Sequence, residues 1–174
     1  MSANPKDLDT KASRCPYVQF EERAGAIYQE MARDFRNNQE LSWFWRAMSL
    51  AENQHALVLA FCECQQLLDT PSPDQAPEVS HLSETFTRLE SQVAGKELTL
   101  DEAFLIAGEL ETSELNATYD RLVRPAQGTP YLIRKKIETL GENHGETLLK
   151  AAQKFGVSAP VIERLAELQK RGAN

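Results

Sequence analysis

Cysteine, glycine, proline and basic residues are all scarce in this chain. Three cysteines in 174 residues, with Cys62 and Cys64 only two positions apart, cannot build a disulfide framework. Eight glycines and eight prolines exclude fibrous and low-complexity classes. Lys and Arg number 19 against 26 Asp and Glu, a formal net charge of -7, so the basic face that a nucleic-acid partner needs is missing. No apolar run approaches the roughly 20 residues that span a bilayer. No apolar segment follows the polar start MSANPKDLDTKASRC, so no secretory signal is expected. These absences lead to the expectation of a cytoplasmic protein that binds neither nucleic acid nor membrane.

What remains is a composition that folds. Hydrophobic residues make up 41% of the chain, too many for disorder and enough for one core at this length. Residues 1–16 are polar and aperiodic and read as a loose arm. Four segments with helical period follow, over about 17–36, 40–68, 100–123 and 130–155. Thr99 with Glu102 forms a capping box, and Thr129 before Pro130 reads as an N-cap with proline at the first helical position. The breaks Arg36-Asn-Asn-Gln and Arg124-Pro-Ala-Gln-Gly are short, which makes antiparallel hairpins. The proline-rich connection over 69–99, with a weaker helix from about Ser80 to Val93, is long enough to cross the length of a bundle. Residues 156–174 close with a short amphipathic tail helix. The fold class expected is all-α: an antiparallel four-helix bundle over 17–155.

The apolar stripes hold the chemistry. At about 100° per residue, the first stripe reads Tyr17, Glu21, Ala24, Tyr28, Met31, Phe35. The second reads Leu41, Trp45, Met48, Glu52, His55, Leu59, Cys62. The third carries Glu111 at its centre and Glu114 at its edge. The fourth carries His144 at its centre, with Gly141 three residues before it and Glu142 on the far side of an ideal helix. Each helix thus places an ionisable residue inside. An unpaired buried carboxylate costs several kcal/mol, so four helices that each place an ionisable group inside near one height need a common compensator. Shared protons and mutual hydrogen bonds would serve; a cation held by carboxylate and imidazole serves better. Glu21 and Glu52 across one hairpin, and Glu111 and His144 across the other, return to similar heights.

These residues resemble the rubrerythrin branch of the ferritin-like superfamily. Glu21-x-x-Ala24-x-x-x-Tyr28 is similar to its first helix, Glu52-x-x-His55 to its second, and Glu111-x-x-Glu114 to the paired glutamates of its third. The resemblance implies a ferritin-like bundle with a di-iron centre, one iron, manganese or zinc being the alternative. It implies metal ligation by Glu21, Glu52, His55 and Glu111, Glu114 as a ligand that swings in with redox state, and Tyr28 as a hydrogen-bond partner of a ligand. It implies oxidation of ferrous iron, or reduction of peroxide or dioxygen, and a homodimer.

Two departures stand out. The family has Glu-x-x-His on its fourth helix; this chain has Gly141-Glu142-Asn143-His144-Gly145, so either His144 is kept and the glutamate lost, or Glu142 is kept and the histidine lost. A rubredoxin-like domain with two Cys-x-x-Cys pairs is missing, so a separate electron donor is needed. A bundle binding one metal or none, and serving as an assembly module, is the competing reading. Trp43, Phe44 and Trp45 read as core or dimer surface, Cys62 as a small core residue.

Overall fold

The computed structural model describes residues 15–68, 76–113 and 144–172, with positions 131 and 135. The elements described are helices: α1 (Pro16–Asp34), α2 (Gln39–Cys64), α3 (Ala76–Val93), α4 (Leu100–Thr112), α5 (Gly145–Phe155) and α6 (Ala159–Gly172). The described elements are all helical, as the periodicity predicts. No described helix is long and apolar enough to cross a membrane.

α1 and α2 form the hairpin that sets the site. Pro16 starts α1 where a missing N–H costs nothing. Asn38 caps α2, its Oδ1 accepting from the Leu41 N–H at 3.1 Å. Two buried hydroxyls then fix the register of the pair. Ser42 Oγ donates to the Ala32 carbonyl and Ser49 Oγ to the Gly25 carbonyl, each at 2.8 Å. Gly25 allows the closest approach: a Cβ there would stand 2.9 Å from Asn53 Nδ2. Glu21 and Glu52 lie within a turn of this contact and so arrive at one height.

α3 crosses α1 through a charged clamp. The Arg23 guanidinium donates to both carboxylate oxygens of Glu90, at 2.6 and 2.8 Å. The same guanidinium lies 5.3 Å from the ring of Phe86, which stacks on Phe20 at 5.2 Å. Such a bidentate pair holds its plane as well as its charge. An aromatic cluster of Phe44, Trp45, Phe104 and Phe155 ties α2, α4 and α5 beside it.

Two helix ends differ from the periodicity. The second segment predicts helix to Leu68, but α2 stops at Cys64. Gln66 takes the left-handed region (φ 56°) and the Leu67 N–H returns to the Cys62 carbonyl at 2.8 Å, a terminating motif that hydropathy does not register. The third segment predicts helix to Val123; α4 stops at Thr112, with Ser113 extended, and residues 114–123 lie outside the described residues. Thr112 Oγ1 donates to the Gly108 carbonyl and Ser113 Oγ to the Leu110 carbonyl, so side chains take acceptors at the helix end. The fourth segment predicts one helix from Pro130 to Phe155. Residues 131 and 135 are helical and α5 covers Gly145–Phe155, with His144 in a turn at its N-cap; the remainder of that segment lies outside the described residues. The tail forms as expected: Gly156 (φ 79°) ends α5 and α6 follows.

α6 is seated on α4 by absence of a side chain. A Cβ on Gly108 would come 2.4 Å from Leu165 Cδ2, and Leu165 is buried. Gly108→Ala should therefore lose about 1 kcal/mol, overpacking of about 1–3 kcal/mol outweighing the better helix propensity of alanine. Denaturant unfolding checks it. In a Leu165→Ala background the same substitution should become neutral or stabilising; an unchanged penalty there would mean that the contact is not its cause.

Candidate metal centre

Five ionisable side chains from four places in the chain converge in the interior. Glu21 and Glu52 are buried at 2% and 6% exposure. The side chains of His55, Glu111 and His144 are only 12%, 7% and 18% exposed. Helical spacing explains the first four. Glu21 faces inward from α1 between Tyr17 and Ala24, and Glu52 with His55, three apart on α2, share a face. Glu111 comes from the last turn of α4. His144 enters from the start of α5, its carbonyl accepting the Leu148 N–H at 2.8 Å.

The geometry centres on Glu52. Its Oε2 stands 3.2 Å from His55 Nδ1 and its Oε1 stands 3.1 Å from His144 Nδ1. Each imidazole has a second carboxylate. His55 Nδ1 lies 3.7 Å from Glu21 Oε2, and His144 Nδ1 lies 3.6 Å from Glu111 Oε2. The two rings stack at 5.2 Å with 9° between their planes. Two groups result, Glu21–Glu52–His55 and Glu52–Glu111–His144, and within each the potential ligand atoms lie within 4.8 Å of one another. Oxygen and nitrogen ligands bound about 2.1 Å from one ion stand about 3–4 Å apart, so each group has the dimensions of a half-built coordination sphere. These Glu and His groups can hold a metal ion.

The interior polarises the groups strongly. Burial pushes the Glu21 carboxyl well above its ordinary range, with the neighbouring Glu52 charge acting the same way. Burial opposes ionisation of Glu52 as well, but hydrogen bonds from His144 and His55 outweigh it and hold this carboxyl below its ordinary range. Burial disfavours the charged imidazoles, yet the facing carboxylates win: His55 is raised to about 9 and His144 to about 10. Glu21 Oε2 is buried with no hydrogen-bond partner. A buried acceptor left in that state costs about 1–3 kcal/mol, and a cation is one way to satisfy it.

Tyr28 completes the surroundings. Its hydroxyl donates to Glu111 Oε1 at 2.6 Å. Its ring, fully buried, stacks on Trp45 at 5.8 Å. Burial first, and Glu111 next, push its pKa well above 10, so it stays a donor. The cavity between the groups measures about 20 Å³ and is lined by Glu21, Ala24, Tyr28, Glu52, His55, Leu110, Glu111 and His144.

The structure brings together Glu21, Glu52, His55, Glu111 and His144, and sets Tyr28 against Glu111. Glu114 and Glu142 lie outside the described residues. Cys62 is buried and Cys64 exposed, and Glu63 between them accepts from the Cys15 N–H at 2.6 Å, so that triplet is a helix tie. Sequence reading missed the sharing of Glu52, for which neither periodicity nor spacing carries a signal; the hydrogen bond that the resemblance implies for Tyr28 goes to Glu111. No family model, curated protein or solved structure matches the chain.

The raised histidines set the sign of a pH effect. Their contribution to the stability of the metal-free chain is fully present below the ordinary value of about 6.5 and is lost as pH rises through 9 to 10. Glu52, held low, contributes above about pH 4.5 and loses that contribution as pH falls further. Chelator-treated protein should thus be most stable near pH 5–6.5 and weaken on the alkaline side. Thermal unfolding from pH 6 to 10 checks it: His144→Gln should flatten that slope, and an unaltered slope would overturn the assignment.

Proposed function

We propose that this chain is a rubrerythrin-related, ferritin-like protein whose four-helix bundle holds two iron ions, and that it oxidises ferrous iron or reduces peroxide or dioxygen. The single observation that carries this reading is the shared carboxylate. Glu52 turns one oxygen to each of two histidine nitrogens, and each histidine meets a further carboxylate. A hydrogen-bonded polar core needs no such duplication, whereas two adjacent cations with one bridging ligand do.

The donor set fits iron. Three carboxylates and two imidazoles are hard-to-borderline ligands, suited to iron, manganese or zinc. Glu21, Glu52 and His55 would hold one ion, and Glu52, Glu111 and His144 the other. Ferritin-like proteins hold two irons with a Glu on each of two helices and Glu-x-x-His on the others; of that set this chain offers Glu21, Glu52 with His55, Glu111, and His144 without a glutamate three residues before it. Bound iron supplies the electrons that peroxide or dioxygen takes up.

The remaining chemistry belongs to the chain. Tyr28 holds Glu111 in place by its 2.6 Å hydrogen bond. It retains its proton because burial and Glu111 raise its pKa. The cavity of about 20 Å³ has room for about one water molecule. That favours a diatomic or peroxide substrate over an organic one, since substrate-modifying sites of drug-sized ligands need several hundred Å³. These 174 residues hold three cysteines and no Cys-x-x-Cys pair, so electrons for turnover reach the site from a donor outside them.

Anaerobic loading with ferrous iron, followed by metal analysis, tests the reading. Two irons per chain are expected, with a ferric absorption that grows on exposure to peroxide or air and bleaches on reduction. Glu52→Ala should bind less than one iron, because both groups lose a ligand. Glu21→Ala should keep the second ion better than the first. A chain that retains one zinc or nothing after loading sinks the oxidoreductase reading and leaves an assembly module.

A further inference from the structure

α6 packs along α4, and three cavities follow their seam from the surface to the metal groups. The outermost is a groove of about 500 Å³ beside α3, α4 and α6, with Lys96, Glu102, Glu109 and Arg164 among its lining residues. The innermost is the cavity of about 20 Å³ between the metal groups. Between them lies a vestibule of about 10 Å³, room for about one water-sized molecule. Leu168 of α6 lines both the groove and the vestibule, and Glu111 lines both the vestibule and the metal cavity. Neighbouring chambers thus meet at one side chain each.

The vestibule differs in chemistry from both of its neighbours. Two glycines, Gly108 on α4 and Gly145 at the start of α5, give it width, and Leu148, Leu165 and Leu168 give it walls. A Cβ on Gly108 would close the seam, standing 2.4 Å from Leu165 and 3.4 Å from Leu168. Thr112 adds a hydroxyl, but one turned back to donate to the Gly108 carbonyl at 2.8 Å. A passage lined in this way sorts molecules by their hydration. A hydrated cation is wider than one water and would shed its shell among leucines, at great cost. Hydrogen peroxide would leave its donors and acceptors unmatched there. Dioxygen has no hydrogen bonds to lose, and small apolar guests enter apolar cavities.

We propose that dioxygen reaches the metal cavity through this α4–α6 seam, with Leu168 the residue that sets its width and Glu111 the inner threshold. The proposal rests on the two-metal reading above and narrows it: the oxidant is dioxygen, and it arrives from the α6 side, while metal ions enter by another path. α6 then does more than cover α4. Leu165, buried over Gly108, anchors the helix. Leu168, about one turn on and half-buried, is the side chain left to control the opening. Glu111 is held from the far side by Tyr28 at 2.6 Å, so the threshold keeps its place and residue 168 is the variable one.

Nuclear magnetic resonance of metal-free protein tests the route. Dioxygen is paramagnetic, and when dissolved under pressure it should relax the methyl groups of Leu148 and Leu165 several-fold faster than those of Leu41 and Leu89, which are also buried but lie off the seam. Leu168→Trp, which fills the seam, should abolish that contrast at Leu148. In ferrous-loaded protein it should slow oxidation by air several-fold and leave the rate of Co²⁺ uptake unchanged. Leu168→Ala should raise the contrast and speed the oxidation, so it decides the matter should the tryptophan variant fail to fold. Equal relaxation at all four leucines, or a contrast indifferent to residue 168, would overturn the route even where iron binds. Co²⁺ uptake slowed in step with oxidation would overturn the selection of dioxygen. A chain that takes up no metal would instead overturn the reading on which the route rests, and metal analysis shows that separately from the relaxation.

Discussion

Carboxylates buried in a helical core are the constraint on which the rest of this structure depends. Glu21 and Glu52 sit deep among Tyr17, Tyr28, Trp45 and Leu59, where an ionised group without a counter-charge costs several kcal/mol. Everything near them is arranged to meet that cost. Two imidazoles are drawn toward Glu52, and a third carboxylate, Glu111, faces the second of them. The serine hydroxyls of Ser42 and Ser49 lock the α1–α2 register that makes the first group. Without a cation, the interior is reconciled only by raising one acid, lowering another and charging both histidines. Protein stability rarely favours so many opposed shifts in one place, and perturbed groups in a cleft point to function.

Much of the site could be read from the sequence because helices repeat. Glu21, Glu52, His55 and Glu111 sit on apolar stripes whose members are otherwise core, and a helix of 3.6 residues per turn leaves little choice of direction. His144 is reached by the same periodicity and stands at the N-cap of α5, where its own dihedrals are helix-like (φ -68°, ψ -9°), so it keeps the face that the stripe predicts. The ends were less legible. Hydroxyl back-bonding at Thr112 and Ser113, and the left-handed Gln66, are local hydrogen-bond choices to which hydrophobic period is blind. The double role of Glu52 was invisible for a different reason: sharing is a property of three elements meeting, and no single stripe contains it.

The aromatic side chains around the site divide the labour between packing and chemistry. Trp45 buries its whole surface against Tyr28, Phe44 and Phe104, a contribution of several kcal/mol from area alone. That rigid wall fixes the Tyr28 ring, and through its hydroxyl the position of Glu111. α4 is thereby tied to α1 through a hydrogen bond and to α2 through the Phe104 ring contacts, while Gly108 admits Leu165 and couples α4 to α6. Glu111 belongs to the last turn of α4, where a helix frays most easily. Tyr28 on one side and the seated α6 on the other are what hold it.

α2 shows what burying ligands asks of a helix. A ligand-bearing helix must be apolar around its ligands, to exclude water and strengthen their electrostatics. Between Glu40 and Glu63, Arg46 is the only Lys, Arg, Asp or Glu besides the buried Glu52. The -7 net charge is carried elsewhere in the chain, where it opposes indiscriminate association.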